Sequence, residues 1–465
     1  MEKVGVVICN YNKENEVLTC IQSVLESKFM DLHIYVVDNA SKDHSVENIK
    51  MKYKGEPRLT LLCNKENLGG SGGFNTGLRM AFKKGHKYLM CVDNDAFLDE
   101  NCIGVLSDFL EQNEKAGIAA AKIFHTQEPD YIQQYGSFIN WKDYCVDSTY
   151  LNYAEDGTLP EVIYSDAVPA CALMIRRTVV EKIGLMPEEN FLYWDDTEWC
   201  YRCTLAGYLV ASVGAAEACH AMGAKKEDVN TFPTYYAWRN WISFFLKYIP
   251  DEQLFDMAEV FLNSIFTLQY EGLFRGEENR AKTVMAALDD ALHGRMGKAG
   301  EDRIFPIEGT YRPLDALLGG KNKEKAVRII YGEFPLAGEK LAAELMEKEP
   351  GRRIFLQKEQ EKAELEGNAE QTEFVGEQQE YPVECGGDAI WLRLCEDIFR
   401  VEDLTLQSYY IDLDGNVLAT EEDVLIRINA PYARSAFLFA EKPLFLRLAR
   451  ELRENLRQES RKYDK

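Results

Sequence analysis

The sequence predicts an open, mostly parallel α/β sheet. Three observations carry this reading: short apolar runs that each end in a polar cluster, helical spacing between those runs, and a Gly-rich stretch that opens one of the helices. Residues 4–8 (Val-Gly-Val-Val-Ile) are continuously apolar, as in a strand buried on both faces, and end at Cys9-Asn10-Tyr11-Asn12. Residues 14–27 then show helical spacing through Val17, Ile21, Val24 and Leu25. A second strand is expected over 33–37, stopping at Asp38-Asn39-Ala40-Ser41, with a helix from Ser45. Residues 59–63 make a third strand, and 67–73 a Gly-rich loop that opens a further helix. A fourth strand, 88–92, ends at Asp93-Asn94-Asp95. Ligands of open α/β sheets bind at the carboxyl ends of the strands. The polar clusters at 10–12, 38–41, 67–75 and 93–95 therefore point at one crevice.

Further strands are expected near 118–123 and 170–175. An acidic-aromatic segment begins at Phe191 and runs into a helix that ends at Gly207, and 234–248 reads as another helix. Four parts result: 1–250, a helical extension at 251–355, a Glu/Gln-rich linker at 356–380, and a small α+β unit at 381–465. The last contains a hairpin signal at Asp414-Gly415-Asn416.

A chain of 465 residues suggests two to four domains. With 46% apolar or aromatic and 28% charged residues it does not have the composition of a disordered protein. A net charge of -24 argues against broad nucleic-acid binding. A nucleotide site in so acidic a chain calls for a metal ion to screen the phosphates. Of twelve cysteines only Cys200 and Cys203 are closely spaced, on a helical segment, with no second pair to complete a zinc site. No secretory signal pattern and no run of about 18 apolar residues is present, so a reduced, cytoplasmic setting is expected.

Several residues are candidates for chemistry, and each has a plainer explanation. Asp93 and Asp95 suit Mg²⁺ or Mn²⁺ beside a diphosphate; alone, Asp-x-Asp is equally a surface turn. Asp38 suits a ribose hydroxyl or a base N–H, or a turn. The glycines of Asn67-Leu68-Gly69-Gly70-Ser71-Gly72-Gly73 let backbone approach a ligand, or form a flexible loop; they are not a Walker motif. In Tyr193-Trp194-Asp195-Asp196-Thr197-Glu198 three carboxylates raise one another's pKa, which suits a general base; the alternative is a capped acidic helix start. His220 is a metal ligand or a packed histidine. Arg239, in an aromatic helix, binds phosphate or an acidic residue. The final helix, from about Pro443 to Lys462, has leucines at 444, 448, 452 and 456 among arginines; it lies on an anionic leaflet or packs on the body or a second subunit.

In order and spacing, these segments resemble the family-2 glycosyltransferases, which have the GT-A nucleotide-diphospho-sugar fold. The matching residues are Val7-Ile8-Cys9-Asn10-Tyr11-Asn12, Val36-Val37-Asp38-Asn39-Ala40-Ser41, Asn67 through Gly77, and Cys91-Val92-Asp93-Asn94-Asp95, with 191–202 and 235–240 further on. The resemblance covers about 1–250, which becomes the catalytic domain. It is greatest to the rhamnosyl- and galactofuranosyltransferase branch, with Trp194-Asp195-Asp196 and His220 favouring the galactofuranosyl type. It implies an inverting transferase. Asn10, Asp38, Asn67, Gly69, Gly70 and Asp93 would line the donor site. Asp93, Asp95 and His220 would hold Mn²⁺ or Mg²⁺, Asp196 would be the base, and Trp194 and Asp195 would meet the acceptor. The donor would be a UDP- or dTDP-sugar and the acceptor a glycan or lipid-linked glycan in cell-surface polysaccharide synthesis. The setting would be the cytoplasm, including the inner membrane face, with peripheral membrane contact and homo-oligomerisation left open. The rivals are a catalytically inactive nucleotide-sugar-binding scaffold and a nucleotidyltransferase. The latter would need a G-x-G-T-R-type loop where Asn10-Tyr11-Asn12-Lys13 stands.

Overall fold

A computed structural model describes the chain except residues 1, 222–229, 276, 308–312, 359–388, 402–407, 414, 420 and 464–465. The first elements are β1 (Val4–Asn10), α1 (Glu16–Leu25), β2 (Leu32–Asp38), α2 (Ser45–Lys52), β3 (Leu59–Cys63), α3 (Gly69–Lys84) and β4 (Tyr88–Asp93). Then come β5 (Ala96–Leu98), α4 (Cys102–Gln112), β6 (Ala116–His125), β7 (Ile132–Gln134), β8 (Ser137–Asn140), β9 (Cys145–Ser148), β10 (Val162–Ser165) and β11 (Ala172–Arg176). They are followed by α5 (Arg177–Ile183), α6 (Asp195–Leu205), β12 (Leu209–His220), α7 (Phe232–Tyr248), α8 (Leu254–Arg275) and α9 (Glu278–Leu292). The chain divides into two compact units: 1–261 with 282–307 and 442–465, and 262–281 with 308–441.

The first unit is built on one sheet in the order β10-β12-β6-β11-β4-β1-β2-β3, with β5 against β12 and β7 against β6. Strands β4, β1, β2 and β3 are parallel, and β11 runs antiparallel between β4 and β6. The continuous apolar runs follow from burial on both faces. Val6, Ile8, Ile34, Val36, Met90 and Val92 pack with Val17, Ile21, Ile103 and Leu106 on one side. Val7, Val37, Leu89 and Cys91 pack with Phe74, Leu78 and Trp199 on the other. The register gathers the strand ends: Asn10 stands opposite Asp38, Cys9 opposite Asp93, and His220 opposite Ala96.

The Gly-rich stretch departs from its expected role. It is not a loop: α3 starts at Gly69. A Cβ at Gly73 would stand 2.3 Å from Cys9 Sγ, and one at Gly77 2.3 Å from Val7 Cγ1. These glycines let the helix lie close on β1 instead of approaching a ligand. Gly69 has φ +78°, and a Cβ there would collide with the Phe191 carbonyl. Gly70 alone among them would accept a Cβ without a clash; that Cβ would meet Leu192 Cδ1 at 3.6 Å and Asp195 Oδ2 at 3.8 Å.

The second unit holds α10 (Pro313–Leu318), β13 (Ala326–Ile330), α11 (Pro335–Lys348), β14 (Ile354–Gln357), β15 (Ala389–Cys395), β16 (Tyr409–Asp412), β17 (Val417–Leu418) and α12 (Glu421–Ile428). Its sheet runs β14-β13-β15-β16-β17, parallel except for the β16–β17 hairpin that the sequence signalled. The expected parts 251–355 and 381–465 therefore share one sheet: β13 and β14 precede the acidic stretch and β13 pairs with β15 beyond it. Five-residue β13 was hidden between longer helical patterns, with Arg328 breaking its apolar run. Most of the linker expected at 356–380 lies outside the described residues.

Helix α13 (Ala430–Tyr463) begins earlier than expected and contains Pro443. In its later part Phe445, Ala449 and Arg453 are buried, Leu448, Leu452 and Leu456 are half-buried beside them, and Leu444 is exposed. Arg453 donates to the carbonyls of Leu246 and Ile249 at the end of α7, at 2.7 and 2.6 Å, and Arg457 pairs with Asp251. Arginine there satisfies carbonyls that a helix end leaves unpaired. This part of the helix thus packs on the body, where a leaflet had been the alternative. Among the described residues, no helix is long and apolar enough to cross a membrane.

Candidate active site

Asp93 is the last residue of β4, and Asn94 and Asp95 form the turn into β5. Asn94 Nδ2 donates to Asn10 Oδ1 at 2.9 Å, and Ala221 N donates to the Asp95 carbonyl at 3.1 Å, so the turn is tied on both sides. His220 ends β12. Its Nε2 lies 3.2 Å from Asp95 Oδ1 and 3.6 Å from Asp93 Oδ2. The three ligand atoms lie within 4.8 Å of one another. Two carboxylate oxygens and one imidazole nitrogen are a donor set that fits a divalent cation such as Mn²⁺.

The charges show how much negative potential is gathered here. Burial pushes the Asp93 carboxyl up to about 6, with Asp95 and Asp196 adding and His220 opposing. At Asp95 burial raises the pKa, but His220 and Lys13 outweigh it and the group sits below its ordinary range. At His220 burial is outweighed by Asp95 and Asp93, and the imidazole is raised. The Lys13 ammonium is 3.5 Å from Asp95 Oδ2, a partner that the sequence pattern did not single out.

The expected base and ribose residues are placed together but turned inward. Asn10 and Asp38 are almost wholly buried. Asn10 Nδ2 donates to Asp38 Oδ1 at 3.2 Å, and Ser41 N, three residues on, donates to Asp38 Oδ2 at 3.0 Å, closing the local turn. Asn67 Oδ1 accepts from Asn39 Nδ2 and from Gly69 N. Asn39, given no role from sequence, also donates to the Gly69 carbonyl and accepts from Leu68 N. It fastens the start of α3 to the end of β2.

The acidic-aromatic segment becomes a strained turn and then α6. Phe191, Tyr193 and Trp194 all have φ near +63°. Each non-glycine residue held in such a region costs about 1–3 kcal/mol and persists only where the surroundings enforce it. The enforcers are Arg239 and Asn240 on α7. Asn240 Nδ2 donates to the carbonyls of Asn190, Leu192 and Tyr193 at 2.8, 2.6 and 3.0 Å. Arg239 donates to the carbonyls of Asn190 and Gly297 at 2.8 and 2.7 Å. Arg239 therefore meets neither a phosphate nor an acidic residue, the two partners expected of it; both side chains hold backbone. Replacing Asn240 by alanine is expected to destabilise the protein by about 1–3 kcal/mol, because buried carbonyls lose their donor. It should also lower sugar transfer by releasing the turn. Urea unfolding and an activity assay on one preparation check both effects.

Downstream of the turn, Asp195 and Asp196 open α6. Asp196 accepts from Thr197 N at 2.7 Å and Ala170 N at 3.3 Å; burial still raises its pKa. Burial, with Asp196 beside it, pushes Asp195 up to about 7. Glu198 is different. Its Oε1 accepts from Lys247, Arg202 and Tyr248 at 2.5, 2.7 and 3.0 Å, and the Lys247 and Arg202 cations hold its carboxyl below the ordinary range despite burial. It is a neutralised structural carboxylate. Trp194 packs on Phe244 and Phe245, with ring centroids 5.4 and 5.8 Å away. The exposed aromatic of the segment is Tyr193.

Residues 5–184 match the family model for glycosyl transferase family 2. The chain is 27% identical over 223 residues to a dTDP-rhamnosyl transferase, RfbF, of Shigella flexneri, a match that covers 48% of this chain and 70% of that protein. It is 26% identical over 147 residues to the glycosyltransferase GlyG of Streptococcus pneumoniae, covering 31% of this chain and 46% of that one, so it spans less than half of GlyG. Among solved structures, S. aureus TarS 1-349 in complex with UDP-GlcNAc is similar at 15% identity and TM-score 0.41, over 63% of this chain and 81% of that one. The family resemblance read from the strand-end motifs is thus borne out over residues 5–184, which form a glycosyl transferase family 2 domain.

Proposed function

We propose that the protein transfers a sugar, with inversion, from a nucleotide-diphospho-sugar to an acceptor hydroxyl on a glycan or lipid-linked glycan. One observation carries this reading. Asp93, Asp95 and His220 converge at the carboxyl edge of the sheet, and the Asp195–Asp196 pair stands close enough for Asp196 to raise Asp93 and for Asp93 to raise Asp195. This proximity supports a leaving-group site and a base acting on one bound sugar.

Asp93, Asp95 and His220 would hold Mn²⁺ or Mg²⁺, the mixed oxygen and nitrogen donors suiting Mn²⁺ better. When bound, the cation supplies positive charge that neutralises the departing diphosphate. Asn67, Gly69 and Gly70 would line the donor side, at the α3 start that Asn39 fastens and where Gly70 N is tied to the Phe191 carbonyl at 2.7 Å. Asp196 takes the proton from the acceptor hydroxyl, which attacks the anomeric carbon from the face opposite the leaving group. Asp195, also raised, keeps the pair's charge low until the acceptor arrives, and Tyr193 and Trp194 meet the acceptor sugar. Holding both substrates in one crevice converts a bimolecular encounter into a local one.

The donor is taken to be a dTDP- or UDP-sugar. The RfbF relative supports rhamnose; Trp194-Asp195-Asp196 with His220 supports galactofuranose as the second reading. The product would serve cell-surface polysaccharide synthesis on the cytoplasmic side. The test is nucleotide release with Mn²⁺ and a glycan acceptor, comparing dTDP-rhamnose with UDP-galactofuranose. Transfer from dTDP-rhamnose is expected. Tight donor binding with no transfer to any acceptor would instead make the chain a nucleotide-sugar-binding scaffold.

A further inference from the structure

Gln133 lies on β7, a three-residue strand, and its side chain is buried. Both β7 and β12 pair with β6, where Phe124 stands opposite Ile132 and Cys219. Gln133 makes two hydrogen bonds to one residue. Its Nε2 donates to the main-chain carbonyl of His220 at 3.1 Å, and its Oε1 is 2.8 Å from His220 Nδ1.

These two contacts constrain each other. The His220 carbonyl can only accept, so the amide nitrogen must face it; the reverse orientation would set two acceptor oxygens together. The amide oxygen is then the atom facing Nδ1. It also only accepts, so Nδ1 carries hydrogen. In the neutral ring the bare lone pair is therefore on Nε2, the nitrogen turned toward Asp95 and Asp93.

We propose that Gln133 is a positioning residue that locks His220 in the Nδ1–H tautomer and fixes its ring plane, so that Nε2 can serve as the third ligand of the divalent cation. The ligand role rests on the metal reading above; the tautomer lock does not. An imidazole held from behind in this way is oriented and made a better donor, and loss of such an outer partner typically costs about 10–100-fold in metal affinity.

Two measurements test this. The first is long-range ¹⁵N NMR on histidine-labelled, metal-free enzyme at a pH where the ring is neutral, with His220→Gln to assign the signal. The parent is expected to show Nδ1–H; a parent ring protonated on Nε2 overturns the lock whatever the variants do. The second is Mn²⁺ titration by electron paramagnetic resonance. Gln133→Leu should bind Mn²⁺ about 10–100-fold more weakly and lose the single tautomer. Gln133→Glu, which keeps an acceptor at Nδ1, should restore most of the affinity. A folded Gln133→Leu with the parent's tautomer and Mn²⁺ affinity overturns the proposal. If Gln133→Leu does not fold, the parent spectrum and Gln133→Glu decide. A parent that shows Nδ1–H yet takes up no Mn²⁺ overturns the metal reading and leaves the lock standing.

Discussion

Replacing Asp196 by asparagine is expected to lower the rate of sugar transfer by about 10²–10⁴-fold, the usual cost of losing a general base. Nucleotide affinity should stay at the parent level, since the interaction is made only at the barrier. Asparagine keeps one oxygen for the closer Thr197 N–H, which Oδ1 accepts at 2.7 Å, and gives up only the longer bond from Ala170 N to Oδ2 at 3.3 Å, so the start of α6 should survive. Asp195→Asn is the necessary companion, because Asp195 lies beside Gly70 and burial with the neighbouring Asp196 pushes its carboxyl up to about 7. The two carboxyls share their titration. A base works only when unprotonated, and both groups are raised, so the pair holds a proton in mildly acidic solution. Transfer should therefore increase with pH through about 7 and level off above it. Removing the Asp195 charge relieves Asp196, so the acid limb of the Asp195→Asn profile should move to lower pH. Near-normal turnover in Asp196→Asn together with a dead Asp195→Asn would transfer the base role to Asp195.

Asp95→Ala should abolish the strengthening of nucleotide-sugar binding by Mn²⁺, measured by calorimetry with and without the ion. Asp95 faces both His220 and Lys13. Its loss removes the carboxylate with the lowest pKa of the Asp93–Asp95 pair, the one best able to stay charged beside a cation. The diphosphate would then meet an acidic crevice with no screening ion, in a chain of net charge -24. The loss should exceed the about 10–100-fold typical of an outer partner. Parent-like enhancement by Mn²⁺ in this variant would remove Asp95 from the metal site.

Much of the family 2 domain was legible because its signals are local. A strand buried on both faces writes itself as a continuous apolar run, and residues 4–8, 33–37 and 88–92 did so. Their polar ends mark the crevice by the rule for open sheets, which located Asp93 and Asp95. Local pattern failed where one residue type serves two purposes. Glycines at 73 and 77 look the same whether they admit a phosphate or a neighbouring strand, and only the 2.3 Å approaches of α3 to β1 separate the two. Arg239 is likewise ambiguous until its carbonyl partners are seen.

Spacing along the chain was enough for β1 to β4, β6 and β11, the helices between β1 and β4, the β16–β17 hairpin and the identity of the acidic strand ends, because each depends on neighbours within a few residues; β5, β7, β10 and β12 left no such pattern. What needed the tertiary structure depends on residues far apart in sequence. His220 reaches Asp95 only through the pairing of β12 with β5, Gln133 reaches His220 from β7, and Asn240 clamps a turn nearly fifty residues before it. Strands β13 and β14 join β15 across a long intervening stretch. Glu198 and Asp196 look alike as neighbours in one acidic segment; the fold sets three donors, two of them cations, against Glu198 and leaves Asp196 raised, and that difference in surroundings divides a structural carboxylate from a candidate base.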